Sequence, residues 1–368
     1  MPFSDFHGNT ECVHRLREML ARGRFPQAVI LAGPAGSGKY TLALMLARAM
    51  NCLSPTVTDG LPDFCGRCAN CLRIAQAEDL AARVAEAAEA REGLRETDKK
   101  ETRLFVQTHP DVLIIPPDPP QLMIKVDQVR RVIESIYYRP AEAKERVYIF
   151  TDSALMKEAA NSLLKVLEEP PEFATIFLLT ENPGELLPTI RSRSMAVTLA
   201  ALSTQEVEQY LAVYRPDWKP QQRALVARLA EGAVGRARSF DLAAYVAARS
   251  HALTILHSAL RTEHSELFKT TETYRAGPEG REKTEALLRT LYSLLEDMLF
   301  LKSNTPDLVR NTDIQPELKR LAESVDFDWI ALASDRLAEV ERGMRRNLLR
   351  SLSLDSLAVA LEPRAALR

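Results

Sequence analysis

Two groups of residues in this chain carry recognisable chemistry. The first is Gly33-Pro34-Ala35-Gly36-Ser37-Gly38-Lys39, which follows the apolar run Ala28–Ala32 and opens the helical pattern Tyr40–Met50. A glycine-rich turn between a strand and a helix lets backbone N–H groups surround phosphate oxygens, with the helix N-terminus behind them. Gly33, Gly36 and Gly38 permit that path, and Lys39 reaches the outer phosphates. In such loops the residue after the lysine gives a Ser or Thr hydroxyl to Mg²⁺. Here it is Tyr40, whose phenol stands at the end of a bulky ring. Thr41 comes one position late and, on a helix, points about 100° away.

A second acidic position completes the test. "VYIFTDSALM" places Asp152 after an apolar run, suited to holding Mg²⁺ through water. A hydrolysing enzyme of this class adds a Glu next, to polarise the attacking water; this chain has Ser153. Positioned base catalysis contributes roughly 10²–10⁴-fold, so its loss alone makes turnover very slow. Together, Tyr40 and Ser153 leave ATP with Mg²⁺ open as a bound cofactor and argue against efficient hydrolysis.

The second group is Cys52, Cys65, Cys68 and Cys71, spaced C-x12-C-x2-C-x2-C; the fifth cysteine, Cys12, stands apart. Four thiolates at such spacing satisfy a tetrahedral Zn²⁺ fully and leave no position for a substrate, so the expected metal is structural. Cys12 is expected only to pack within a helix, and none of the six histidines forms a catalytic constellation with it.

The elements that position these residues follow from hydrophobic periodicity. Apolar runs bounded by turn residues begin at Ala28, Asp111, Arg146 and Ala174, with helical patterns such as Tyr40–Met50 and Ala154–Glu169 between them. Such alternation predicts a parallel sheet with helices on both faces. After Leu199 strand signals stop. Ser203 with Glu206 predicts a capped helix start. Helical runs are expected at Gln221–Glu231 and Val234–Ala244, then longer ones such as Glu282–Phe300 and Trp329–Ser351, with a loop near Thr271–Gly280. The expected domains are an α/β module over 1–199, a helical lid over 200–248 and an all-α domain over 249–368. Residues 72–107 read as an Ala-, Glu- and Arg-rich helical insertion, a solvated one or a partner-binding arm. The 368 residues are 46% hydrophobic and 27% charged with a net charge of −2, against a strongly basic nucleic-acid binder. With no run of eighteen apolar residues and no charged-then-apolar leader at Met1, a cytoplasmic protein is expected.

The motifs in this order resemble a known family, the delta-prime subunits of the bacterial DNA polymerase III clamp loader, which are AAA+ proteins. The resemblance rests on "FSDFHGN", "GRFPQAVILAGPAGSGK", the four cysteines, "HPDVLII", "IKVDQVR", "AANSLLKVLEEPPEFATIFLLT" and "LLPTIRSRS", over about residues 3–200. It implies a phosphate-loop AAA+ module with a zinc-binding insertion, a helical lid, and a C-terminal helical collar that joins subunits into a ring. It also implies Thr180 at the sensor-1 position, Arg236 near the lid arginine, and Arg193 as an arginine finger acting on a neighbour. Ser192-Arg193-Ser194 matches the family's Ser-Arg-Cys with the last residue changed, and the insertion after Cys71 is a departure.

The partners so implied are gamma/tau and delta subunits, with the sliding clamp and primer-template DNA reached through the complex. A gamma/tau-type motor ATPase is the main alternative. Against it stand Tyr40, Ser153 and a sequence that stops at Arg368 without the long extension expected of tau. A stand-alone phosphate-loop enzyme is more remote, given "LLKVLEEPP" and the cysteines. Arg193 is expected at the domain edge, away from this chain's own phosphate loop.

Overall fold

The computed structural model describes residues 2–95, 98, 102–119, 122–261, 265–274, 278–344 and 350–361. Parts of the insertion (96, 97 and 99–101), of the loop expected near Thr271–Gly280 (275–277) and of the helix expected to reach Ser351 (345–349) lie outside the described residues. Two compact units are present. The first comprises Met1–Tyr210 with Glu231–Arg238, the second Leu211–Ala230 with Ser239–Arg368.

The first unit is built on a six-stranded sheet. Its strands are β1 Ala28–Ala32, β4 Val106–His109, β5 Val112–Ile115, β6 Arg146–Phe150, β7 Ala174–Thr180 and β8 Met195–Thr198. A separate hairpin pairs β2 Thr56–Thr58 with β3 Leu61–Asp63. The sheet order is β4-β5-β6-β7-β1-β8. All neighbours run parallel except β4, which returns antiparallel beside β5 through Pro110 and Asp111. The sheet is therefore mixed at one edge rather than wholly parallel.

Alternation along β1 divides the core. Val29 and Leu31 pack on one face with Leu16, Leu42 and Leu46, from the helices Thr10–Ala21 and Lys39–Asn51. Ala28 and Ile30 pack on the other with Val129, Val132, Leu163 and Val166, from Val126–Ile136 and Lys157–Glu168. Because both faces are covered, every β1 residue is buried, the signature of an interior parallel strand.

Helical bounds follow local chemistry. Ser203 caps the helix Thr204–Tyr214 as expected: Glu206 N–H donates to Ser203 Oγ at 3.2 Å, and Ser203 N–H returns a bond to Glu206 Oε2 at 2.8 Å. The helix expected over Val234–Ala244 is instead two, Val234–Arg238 and Leu242–Arg261. Asp241 makes the break, accepting the Ala244 N–H at 2.9 Å as a new cap. This second helix runs through the expected 248/249 boundary. Pro278–Lys302 supplies the bundle core of the second unit with Leu287, Leu288, Leu291 and Leu295, packed with Ile255, Leu318 and Leu337. No helix among the described residues is long and apolar enough to cross a membrane.

Candidate functional site

The phosphate loop leaves the end of β1. Gly33, Gly36 and Gly38 all have positive φ, and Gly38 leads directly into the helix Lys39–Asn51. Gly36 lies under the segment Glu231–Arg238. A Cβ there would come within 2.9 Å of the Arg236 backbone nitrogen. Gly235 N–H donates to Gly36 O at 2.8 Å, and a Cβ on Gly235 would meet that same oxygen at 2.8 Å. Two glycines thus let the loop and the segment touch backbone to backbone.

Lys39 Nζ donates to the carbonyls of Gly33 at 2.6 Å and Pro34 at 2.9 Å. Burial lowers its pKa, with Glu181 and Asp152 opposing. Ser37 Oγ is buried beside it without a hydrogen-bond partner among the described residues. Ser37 was not singled out in the sequence, although its place between two loop glycines was the available signal. A free hydroxyl, turn amides and a lysine fit the phosphate part of a nucleotide.

The magnesium part fits poorly. Tyr40 turns away from the loop, and its hydroxyl donates to Ala77 O at 2.7 Å. Burial pushes the phenol pKa up, with Glu78 adding to the effect. Tyr40 is therefore a strut between the loop helix and the end of the cysteine-bearing segment. Thr41 is exposed. Asp152 is exposed and accepts the Ala154 N–H at 2.8 Å. Ser153 is buried and donates to Glu185 Oε2 at 2.7 Å. Thr180 is buried at the end of β7, where its hydroxyl donates to Asn182 O at 2.9 Å. Arg236 faces Glu231, Nη1 to Oε2 at 2.8 Å. No hydroxyl follows Lys39 in a position to serve a cation, and no step through magnesium follows from these residues.

Cys52, Cys65, Cys68 and Cys71 come together as their spacing required. All four are free thiols, and their sulfur atoms lie within 4.8 Å of one another. A tetrahedral zinc with Zn–S of about 2.3 Å needs S···S near 3.8 Å, and Cys52 Sγ and Cys68 Sγ are already 4.0 Å apart. Backbone N–H groups favour thiolates here. Cys65 N–H points at Cys52 Sγ and Cys68 N–H at Cys65 Sγ, each at 3.3 Å. Against burial, the N–H groups of Cys71 and Leu53 and the adjacent thiols of Cys71 and Cys65 draw the Cys68 pKa down to about 6. The four sulfurs could hold one metal ion with no coordination position left over. Cys12 packs in the helix Thr10–Ala21.

Arg193 lies elsewhere. β8 pairs Val29 with Met195 and Ala32 with Thr198. The phosphate loop leaves the Ala32 end of the sheet, whereas Arg193 precedes the Met195 end. Three strand steps at about 3.3 Å each put roughly 10 Å of sheet between the two ends. The guanidinium is held by Glu168 Oε1 at 2.9 Å and by Thr189 O at 3.1 Å.

The insertion is tied to the sheet unit by charge. Asp118, fully buried, pairs with Arg91 at 2.8 Å and with Arg103 at 3.2 Å. The helix Leu80–Glu92 itself buries no side chain.

The chain is similar in sequence to known proteins. The family described as "DNA polymerase III, delta subunit" matches residues 8–203. DNA polymerase III subunit tau of Escherichia coli is 29% identical over 242 residues, 64% of this chain and 32% of that protein. DNA polymerase III subunit delta' of Bacillus subtilis is 27% identical over 313 residues, 83% of this chain and 82% of that protein. The chain spans about a third of the length of the first curated relatives it matches. Among solved structures, a DNA polymerase III gamma subunit-related protein of Thermotoga maritima has a TM-score of 0.42 and 18% identity, over 95% of this chain and 98% of that one. With more than half of its residues matched by that family, the chain belongs to the clamp-loader subunits of DNA polymerase III described as the delta-subunit family.

Proposed function

We propose that the chain is a delta-prime-type clamp-loader subunit that does not hydrolyse nucleotide itself. It supplies Arg193 to the ATP site of a neighbouring subunit while a sliding clamp is loaded onto primer-template DNA. The observation that carries this reading is the opposition of the two ends of the strands of one sheet. At one end the phosphate loop has Tyr40 turned away and Ser153 bonded to Glu185. At the other, Arg193 stands in the turn before β8. Gly33, Gly36, Gly38 and Lys39 then at most hold a nucleotide, with Thr180 and Arg236 nearby as sensors. The cysteine quartet holds a structural Zn²⁺. Residues 200–248 serve as a lid and 249–368 as the collar that joins gamma/tau and delta partners in a cytoplasmic complex.

A finger arginine stabilises charge on a neighbour's transferring phosphoryl group, an effect worth 10³–10⁵-fold, by order of magnitude, in related chemistry. Arg193→Ala should leave folding, metal content and ring entry unchanged. ATP hydrolysis by the assembled complex should fall in part, since one site faces this subunit, and clamp loading should fall further. Arg193→Lys should rescue incompletely, because a point charge does not replace a planar fork of donors. Clamp loading at the wild-type rate with Arg193→Ala, but not with Arg191→Ala, would show that the neighbouring arginine does the work. The tau-named relatives support a motor reading as the second choice. Robust ATP turnover by the isolated chain, abolished by Lys39→Ala, would establish it.

A further inference from the structure

We infer that Glu168 is the positioning residue of Arg193, holding the guanidinium in a defined plane before and during its use on a neighbouring subunit. The inference rests on the finger reading of Arg193. Glu168 is the last residue of the helix Lys157–Glu168. Pro170 and Pro171 stop that helix, since a residue before proline is driven out of the helical region, and Glu169 sits at φ −136° and ψ 66°. The end of the helix is thereby fixed at the same end of the strands from which Arg193 projects.

Two features set this pair apart from an ordinary surface ion pair. Arg193 is gripped twice, by Glu168 Oε1 at 2.9 Å through Nη2 and by Thr189 O at 3.1 Å through Nη1. Two acceptors on two different nitrogens fix both the direction and the rotation of the fork. Glu168 also stands where a carboxylate is unfavourable, at the negative end of a helix dipole, with Glu169 beside it. A local rule broken without a packing return points to use of the side chain; Glu168 is more than half exposed and fills no core. An arginine crossing an interface must already be ordered, because a misplacement of an ångström in a reacting geometry can cost as much as about 10²-fold. Glu168 provides that order without touching the reacting atoms.

The test is a double-mutant cycle in the reconstituted ring of this chain with its gamma/tau-type and delta-type partners, using ATP, primed DNA and clamp. The chains compared are wild type, Arg193→Ala, Glu168→Ala and the double variant. Glu168→Ala should lower kcat at the affected site by about 3- to 10-fold with KM unchanged. In the Arg193→Ala background it should change nothing further, because residues acting as one unit are not additive. Glu168→Gln keeps the side-chain size, so it should retain the wild-type melting temperature and ring entry while still losing kcat. Losses that multiply in the double variant would overturn the proposal, as would wild-type kcat in Glu168→Gln beside an impaired Arg193→Ala. If Arg193→Ala itself is unimpaired, the finger reading has failed, and Glu168 falls with it.

Discussion

In the proposed reading, the loss of hydrolysis rests in part on Ser153. Its hydroxyl is spent on Glu185 at 2.7 Å, a partner thirty-two residues later that no local pattern foretells. Writing back the expected residues therefore has a specific difficulty. In Tyr40→Thr combined with Ser153→Glu, the new carboxylate is built against Glu185, and like charges at such range repel. The isolated double variant should show no appreciable ATPase. Adding Glu185→Gln should be needed before any turnover can be measured; turnover in the double variant alone would refute this account. The same substitution removes the Tyr40 bond to Ala77 O, so its melting temperature should also drop slightly, in line with about 1 kcal/mol for a lost hydrogen bond. At the cysteines the expectation is about one equivalent of zinc in the purified chain. Cys68→Ser or a strong chelator should release it and lower stability, because binding free energy at a structural site is folding free energy. Metal-free protein with an unchanged melting curve would exclude that role.

Hairpins and caps explain what the sequence made legible and what it did not. The strands β1, β5, β6 and β7 are continuous apolar runs because both of their faces are covered, and such runs are visible in any reading. β8 alternates half-buried and exposed residues at the sheet edge, a weak signal in four residues. β4 was concealed for a different reason: Val106–His109 is no apolar run, and only its two end residues are buried. Asp111, in the turn that follows, is fixed by distant partners. That buried carboxylate accepts N–H bonds from Ala141 and Glu142 at 2.8 Å and from Ala143 at 2.9 Å, thirty residues away. The β2–β3 hairpin had a usable cue in Asp59-Gly60, both at positive φ, the pattern of a type I′ turn. The phosphate loop and the cysteine quartet were legible because their chemistry demands fixed local spacing. Glu168, Glu185 and Asp118 were not, since their partners are set by tertiary packing. Asp111 offers a pH test. Against the cost of burial, those three N–H groups and the Arg146 guanidinium hold its carboxyl below the usual aspartate range. Its folded pKa lies below its unfolded one, so its stabilisation is fully present above about pH 4 and is lost as pH falls through the folded value. Asp111→Asn should cost about 1–3 kcal/mol at neutral pH and flatten the acid limb of the melting-temperature profile. A variant with the same acid limb as wild type would refute the assignment.

The path of the chain through its two compact units sets the terms for cutting it. The chain leaves the sheet unit after Tyr210, returns for Glu231–Arg238, and departs again at Ser239. The returning piece is the one whose Gly235 rests on Gly36 of the phosphate loop. A cut that follows a sequence boundary near 248 therefore severs the helix Leu242–Arg261, and a cut after Arg238 strands Leu211–Ala230 from the rest of its unit. The helix Pro220–Leu229 depends on that unit: Arg228 donates to the carbonyls of Asp307 and Val309, each at 3.0 Å. A ten-residue helix without tertiary cover is marginal in water. In a chain stopped after Arg238, a protease at low dose should cut first within 211–230, while residues up to Tyr210 stay resistant. In the full chain the same segment should survive that dose, because cleavage tracks the population of the locally open form. Equal protection of 211–230 in both chains would mean that the helix is held by the sheet unit instead, and the division at Tyr210 would have to be redrawn.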